Sequence, residues 1–431
     1  MGKRGASLLE STNLIYGQSQ EVPTRNGPAP YINFDNAAST PPFARVMESL
    51  NDAAIWYASV HRGAGYKSQY STRIYEEARQ IVGAFVGTEP AHDVVIFTKN
   101  TTDSLNKITH YLPYLPGEIV VYSGVEHHSN ELPWAKKHSY RLGLAGYQID
   151  LAEAETFFRA NAGRIKLLAV SGASNVTGYT PPIYTLAEMA HRVGARILVD
   201  AAQLAPHRPI DILPPTDPRH LDFIAFSAHK MYAPFGVGVL IGPRTLFCHT
   251  PPSQVGGGTV KGLSPAGIIW NEPPEVEEAG SPNVLGAVAL AEAIRVLTEL
   301  GWDTLINNEN RLIKQTIAAL REMPEVTLYN PEPDNRVGVI SFNIAGIHHL
   351  EVARYLADEW GIGVRSGCFC ARSYVQRLLQ LDPAAIQNAQ TQIIRQQPQT
   401  PGMVRVSFGC YNQPQEVEVL IEALQKLIKN R

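Results

Sequence analysis

Between about residues 72 and 242, short aliphatic and β-branched runs recur along the chain, each separated from the next by a more polar stretch. They read VVIF (94–97), EIVVYS (118–123), KLLAVS (166–171), RILVDAA (196–202), FIAFS (223–227) and VGVLIG (237–242). Runs this short and this uniformly apolar predict strands covered on both faces. The intervening stretches keep a helical period instead. Ile74, Ala78, Ile81, Val82 and Phe85 share one face of 72–86, and Leu186, Met189, Ala190 and Val193 share one face of 184–193. This alternation predicts an α/β fold with a mostly parallel sheet and helices on both sides.

The pattern breaks at a Gly/Pro-rich passage, 251–282, read as a functional loop or an inter-domain crossing. Beyond it come a helix to Leu300, a second near 303–322, a strand around 338–343, a helix near 349–360, a strand at 405–408 and a terminal helix from 415. These predict a smaller α+β C-terminal domain. The expected division is an N-terminal arm over 1–30, a large domain over 31–285 and a small domain over 286–431, with the N-terminal segment available to pack on the latter. Pro23, Gly27, Pro28 and Pro30 predict that the arm is mobile. The glutamine-rich stretch 387–400 predicts a flexible excursion, or a mobile segment beside an active site.

With 37 basic and 40 acidic residues, the net charge of −3 gives no electrostatic footprint for nucleic acid. Four cysteines in 431 residues cannot form a disulfide framework, so reduced thiols in the cytoplasm are expected. No apolar run reaches the roughly 18 to 20 residues that span a bilayer, and the opening has no signal-peptide core, so neither membrane insertion nor secretion is expected. The Met-Gly start has Ala6 where a myristoylation signal carries Ser or Thr.

The chemistry concentrates at two predicted strand ends. Asp200-Ala201-Ala202-Gln203 closes one strand and Ser227-Ala228-His229-Lys230 closes another. Strand C-termini of a parallel sheet meet at one crevice, so an acid and an amine arrive together. Lysine forms a Schiff base with an aldehyde, and a carboxylate keeps a pyridine nitrogen protonated; those are the two requirements of pyridoxal phosphate. Asn100-Thr101-Thr102-Asp103-Ser104 lies where a strand turns into a helix, and reads as a phosphate cradle or as a simple N-cap. The His127-His128 pair has neither an H-E-x-x-H nor a C-x-x-C context, and no metal site is expected.

These residues bring the chain to a resemblance. It is similar to fold-type-I pyridoxal-phosphate enzymes of the class V aminotransferase group, and within them to the group II cysteine desulfurases and selenocysteine lyases. The likeness runs from about 31 to 429 through FDNAAST (34–40), HRGAGY (61–66), TKNTTDSLN (98–106), VEHHSNELPW (125–134), SNVTGYTPP (174–182), VDAAQLAPH (199–207), FSAHKMYAPFGVGVL (226–240), EAGSPN (278–283), VRSGCFCA (364–371) and VRVSFGCYN (404–412). The resemblance implies that Lys230 carries the cofactor, Asp200 pairs with its ring nitrogen, Gln203 reaches its hydroxyl and His127 stacks on the ring. It makes Thr101, Thr102, Ser227 and His229 phosphate ligands, with Ser281 supplied by the partner of a homodimer. Asn175 and Arg405 match the positions that hold the substrate carboxylate.

By the same resemblance, Cys370 attacks the sulfur of L-cysteine, leaving alanine and a persulfide for a protein or small-molecule acceptor. A different class V reaction (epimerase, transaminase or carbon–sulfur lyase) and a non-catalytic scaffold or sulfur-carrier partner are the alternatives. The G-C-F-C run, with Cys368 two residues before Cys370, resembles instead the desulfurase-like domain of molybdenum cofactor sulfurases. That family continues into a further C-terminal domain, and a free-standing desulfurase is the expectation here. An extended strand would turn both thiols to one face, where Cys368 either resolves the persulfide or packs inertly. Cys248 and Cys410 are expected to be structural.

Overall fold

Each aliphatic run named above forms a strand of one sheet. The protein is described by a computed structural model covering residues 13–112, 115–135, 138–248, 250–394 and 400–430. Its main sheet comprises β1 (Asp93–Thr98), β2 (Ile119–Tyr122), β3 (Ser139–Arg141), β4 (Ile165–Ser171), β5 (Arg196–Asp200), β6 (Phe223–Ser227) and β7 (Gly238–Pro243), in the order β1-β7-β6-β5-β4-β2-β3. The five strands from β6 to β3 run parallel, while β7 is antiparallel to both of its neighbours. β3 is short and polar, and no aliphatic run announced it. Asp200 ends β5 opposite Ala225 of β6. A short turn, Ala228–Lys230, follows β6 directly, so the acid and the amine leave the sheet side by side.

Helices cover both faces, including Tyr66–Phe85, Thr101–Tyr111 and Ile183–Arg192. The second sheet holds β8 (Val326–Tyr329), β9 (Val339–Ile344), β10 (Arg365–Gly367) and β11 (Met403–Ser407), all antiparallel, in the order β8-β9-β11-β10. It packs with helices Trp302–Arg321, His349–Trp360 and Pro414–Lys429 around Ile313, Phe342, Leu356, Val406 and Leu424. The helix Val284–Leu300, assigned above to the C-terminal part, instead sends Ala287, Leu290, Ile294 and Leu297 into the core of the main sheet. It is buried along most of its length and exposes only Thr298 and Glu299 in its last turn.

Three expectations of irregular chain are corrected. The N-terminal arm contains a hairpin, Glu21–Thr24 with Gly27–Pro30, held to helix His349–Trp360 by the Arg25 amide donating to the Asp358 carbonyl at 2.7 Å. Gly27, at φ +102°, makes its turn; residues 1–12 lie outside the described residues. The Pro-rich passage includes a second hairpin, Val260–Ser264 with Gly267–Trp270, exposing Leu263 and Ile269. In the glutamine-rich region, Pro383–Ile394 is a helix, its first turn capped by Asp382 Oδ1 accepting from the Ala385 amide at 2.8 Å; residues 395–399 are not described. Among the described residues no helix is long and apolar enough to cross a membrane.

Candidate active site

The C-terminal ends of the parallel strands open on a cavity of about 250 Å³. Asp200, Gln203, Lys230, His127, Asn175, Cys370 and Arg405 all line it. Lys230 Nζ donates to Gln203 Oε1 at 3.4 Å. Desolvation pulls its amine down to about 8, against the opposing pull of the Asp200 carboxylate. Asp200 is buried and its carboxyl is raised above the usual range by that burial, while the Ala202 amide donates to Oδ1 at 3.0 Å. Burial, followed by the charge on Lys230, pushes the His127 imidazole down to about 3, so it is neutral near pH 7. The Ser129 amide donates to His127 Nδ1 at 3.1 Å, which leaves the ring proton on Nε2.

One wall of the cavity is the first turn of helix Thr101–Tyr111. Its N-cap, Asn100, accepts from the Asp103 amide at 3.0 Å, so the capping reading of this run is correct. Capping and the Thr101–Ser227 contact leave the Thr102 amide and the helix dipole for an anion. The Thr101 amide and hydroxyl meet Ser227 Oγ at 2.8 and 2.6 Å, and Thr102 Oγ1 meets Ser129 Oγ at 2.7 Å. His229 completes this wall, with its ring pushed down to about 4 by burial and then by Lys230. A Cβ on Gly238 would lie 2.5 Å from Asn100 Cα, so only glycine lets β7 pass under the helix start.

The thiol of Cys370 lines the same cavity. Phe369 and Cys370 both have left-handed backbone, at φ +52° and +53°, a conformation that costs non-glycine residues about 1–2 kcal/mol each. Asn175 Nδ2 donates to the Phe369 carbonyl at 2.7 Å, the His128 amide to the Cys370 carbonyl at 2.7 Å and the Ala371 amide to the Cys368 carbonyl at 2.8 Å. The segment is therefore a pinned turn, and the extended geometry expected for the two cysteines does not hold. Cys370 is exposed and faces the cavity, whereas Cys368 is half-buried and donates to the Pro401 carbonyl at 3.3 Å. Burial raises the Cys368 thiol, which favours inert packing over a resolving role. Burial likewise pushes Cys410 up to about 12, and Cys248 is exposed on another face.

Arg405 comes from β11 and is fully desolvated, which lowers its guanidinium to about 10. It donates to the Asn175 carbonyl and to Asp35 Oδ1, each at 3.0 Å, and lies 4.8 Å over the Phe369 ring. Arg405 Nε is buried with no hydrogen-bond partner among the described residues. A small carboxylate suits such a donor. Arg365 also lines the cavity and pairs with Asp35 at 3.4 Å. Neither Arg365 nor Asp35 was singled out from the sequence as a site residue, although both fall inside quoted motifs; nor was Ser129. Ser281 is the one expected site residue outside this cavity, and it is exposed. Among the described residues, His92, Asp93 and His220 alone have the spacing of a metal cluster. They are not part of the cavity, and both Asp93 oxygens already accept hydrogen bonds, from His92 and the Glu89 amide.

The arrangement can hold a planar ring carrying an aldehyde and a phosphate: an amine, a buried acid, a neutral imidazole and an anion cradle converge on one space. The comparisons agree. The aminotransferase class-V family matches residues 32–420. A probable cysteine desulfurase of Pyrococcus abyssi is 36% identical over 93% of this chain and 94% of its own length, and a cysteine desulfurase of Serratia proteamaculans is 32% identical over 93% and 94%. The apo structure of a cysteine desulfurase from Thermococcus onnurineus superposes with a TM-score of 0.82 at 34% identity, covering 93% of this chain and 95% of that one. The chain thus belongs to the aminotransferase class-V family, a fold-type-I group for which pyridoxal phosphate is the implied cofactor, and its similarities within that family are to cysteine desulfurases.

Proposed function

We propose that the protein is a pyridoxal-phosphate-dependent cysteine desulfurase that converts L-cysteine to L-alanine and keeps the sulfur as a persulfide on Cys370. The observation that carries this reading is that Cys370, Lys230 and Asp200 line a single cavity. Bound there, the cofactor supplies a covalent anchor for the substrate amine and an electron sink for charge developing at its Cα.

The residues divide the remaining work. Asp200 accepts from the ring nitrogen, and Thr101, Thr102, Ser227 and His229 hold the phosphate. Arg405 and Asn175 fix the substrate carboxylate, which turns the Cα–H toward Lys230. With its amine near 8, Lys230 exists partly as free base at neutral pH and takes the Cα proton at Nζ. The Cys370 thiolate forms the S–S bond with the substrate sulfur as the Cβ–S bond breaks. Cysteine plus the enzyme thiol thereby gives alanine plus the enzyme persulfide, with atoms and electrons balanced.

The exposure of Cys370 supports delivery to a protein or small-molecule acceptor. Ser281, exposed and outside its own subunit's cavity, supports a homodimer in which it reaches the partner's phosphate. Four unpaired cysteines support a cytoplasmic setting. The experiment is intact-mass analysis after incubation with cysteine. Gain of one sulfur at Cys370 with release of alanine is expected; turnover of cysteine by Cys370→Ala at the parent rate would reject the reading.

A further inference from the structure

From the cavity wall inward runs a line of polar groups, Lys230, Gln203, His207 and Glu309, of which the reaction above uses only the first. His207 Nδ1 meets Glu309 Oε1 at 2.6 Å. Glu309 sits on helix Trp302–Arg321, also pairs with Arg208, and accepts from the Gly338 amide at 2.8 Å. Burial alone would push its carboxyl up, but the hydrogen bonds from His207 and Arg208 and the Arg208 charge hold it low, so it is an ionised acceptor. On the other side, His207 Nε2 lies 3.3 Å from Gln203 Nε2, and Gln203 Oε1 lies 3.4 Å from Lys230 Nζ.

Hydrogen-bond polarity orders the whole chain. An ionised carboxylate can only accept, so His207 carries a proton on Nδ1. The Gln203 NH₂ faces His207 Nε2, and an NH₂ can only donate, so Nε2 is the accepting lone pair. The carbonyl end of Gln203 then faces Lys230. We propose that His207, held by Glu309, is a positioning residue that fixes which end of the Gln203 amide is presented to the Lys230 amine. The consequence is an acceptor kept against Lys230 where a flipped amide would present a donor. It also links the active-site amine to helix Trp302–Arg321 and the start of β9. The inference rests on the proposed function only in taking Lys230 as the reacting amine.

The test reads Lys230 in the apoprotein by competitive acetylation across pH, with peptide mass spectrometry locating the label. Asp200, Arg405, Cys370, His127 and His229 also face Lys230 and are the same in every variant. His207→Leu frees the amide, so the labelling midpoint of Lys230 is expected to fall by about half a pH unit, roughly threefold in the acid constant. His207→Gln has a carbonyl for Gln203 and an N–H for Glu309, and is expected to restore it. A midpoint unchanged in His207→Leu, with only thermal stability altered, would overturn the proposal. Nitrogen NMR of the parent protein needs no variant: a neutral Nδ1–H tautomer of His207 is expected, and an Nε2–H or doubly protonated ring near pH 7.5 would overturn it equally. Failure of the parent protein to form a visible band with pyridoxal phosphate would count against the proposed function, and both readouts above would still decide the role of His207.

Discussion

The His128 amide donates to the Cys370 carbonyl at 2.7 Å, and the Arg372 amide returns a bond to the His128 ring at 3.1 Å. The turn that carries the thiol and the helix that starts beside His127 are therefore fastened together. Cys370, the proposed sulfur acceptor, and His127, proposed to face the cofactor ring, belong to one local unit, although more than two hundred residues separate them in sequence.

Cys370→Ala is expected to keep its visible cofactor band, because that side chain is not among the groups proposed to hold the ring or phosphate, while alanine release from cysteine drops about 100-fold or more. Absorption spectroscopy and a single-turnover alanine assay separate the two effects. A parallel loss of the band would mean that the thiol turn also supports the ring seat.

The rate at which apoprotein captures pyridoxal phosphate is expected to rise with pH through about 8. Burial holds the Lys230 amine there; below that pH the ammonium has no lone pair to attack the aldehyde, and above it the free base dominates. Stopped-flow absorbance over pH 6.5 to 9.5, chosen to bracket the transition by about 1.5 units either side, gives the midpoint. Lys230→Ala is expected to form no such band.

Arg405→Lys retains the positive charge but loses the planar fork and leaves the Asn175 carbonyl and Asp35 contending for one ammonium. The KM for cysteine is expected to rise about tenfold or more, with cofactor absorption unchanged. Steady-state kinetics at saturating cofactor test this; an unchanged KM would remove Arg405 from substrate binding.

Gly238→Ala forces a methyl into the Asn100 backbone, which has no flexible side chain to yield. A loss of about 1–3 kcal/mol in stability is expected. It should be accompanied by faster loss of pyridoxal phosphate on dilution, because the helix start proposed to hold the phosphate must shift. Thermal unfolding with and without cofactor measures both.

Much of this was legible in the sequence because buried parallel strands are continuous aliphatic runs, and the residues closing β5 and β6 could be read from the strand ends. β3 escaped: Ser139–Arg141 is an edge strand, and one polar face suffices. Helix Pro383–Ile394 escaped because its glutamines were weighed by composition, although Asp382-Pro383 is a start signal for a helix. The bend at Phe369 and Cys370 was not readable at all. Bonds from Asn175 and His128, both distant in sequence, hold it against an unfavourable local preference.

The spacing between Asp200 and Lys230 comes from a strand ladder, whereas the thiol's position comes from one turn. Ladders change only when whole strands slip; turns can be rewritten by a few substitutions. Substitutions within that turn can therefore move the thiol while the Asp200–Lys230 spacing stays as the ladder sets it.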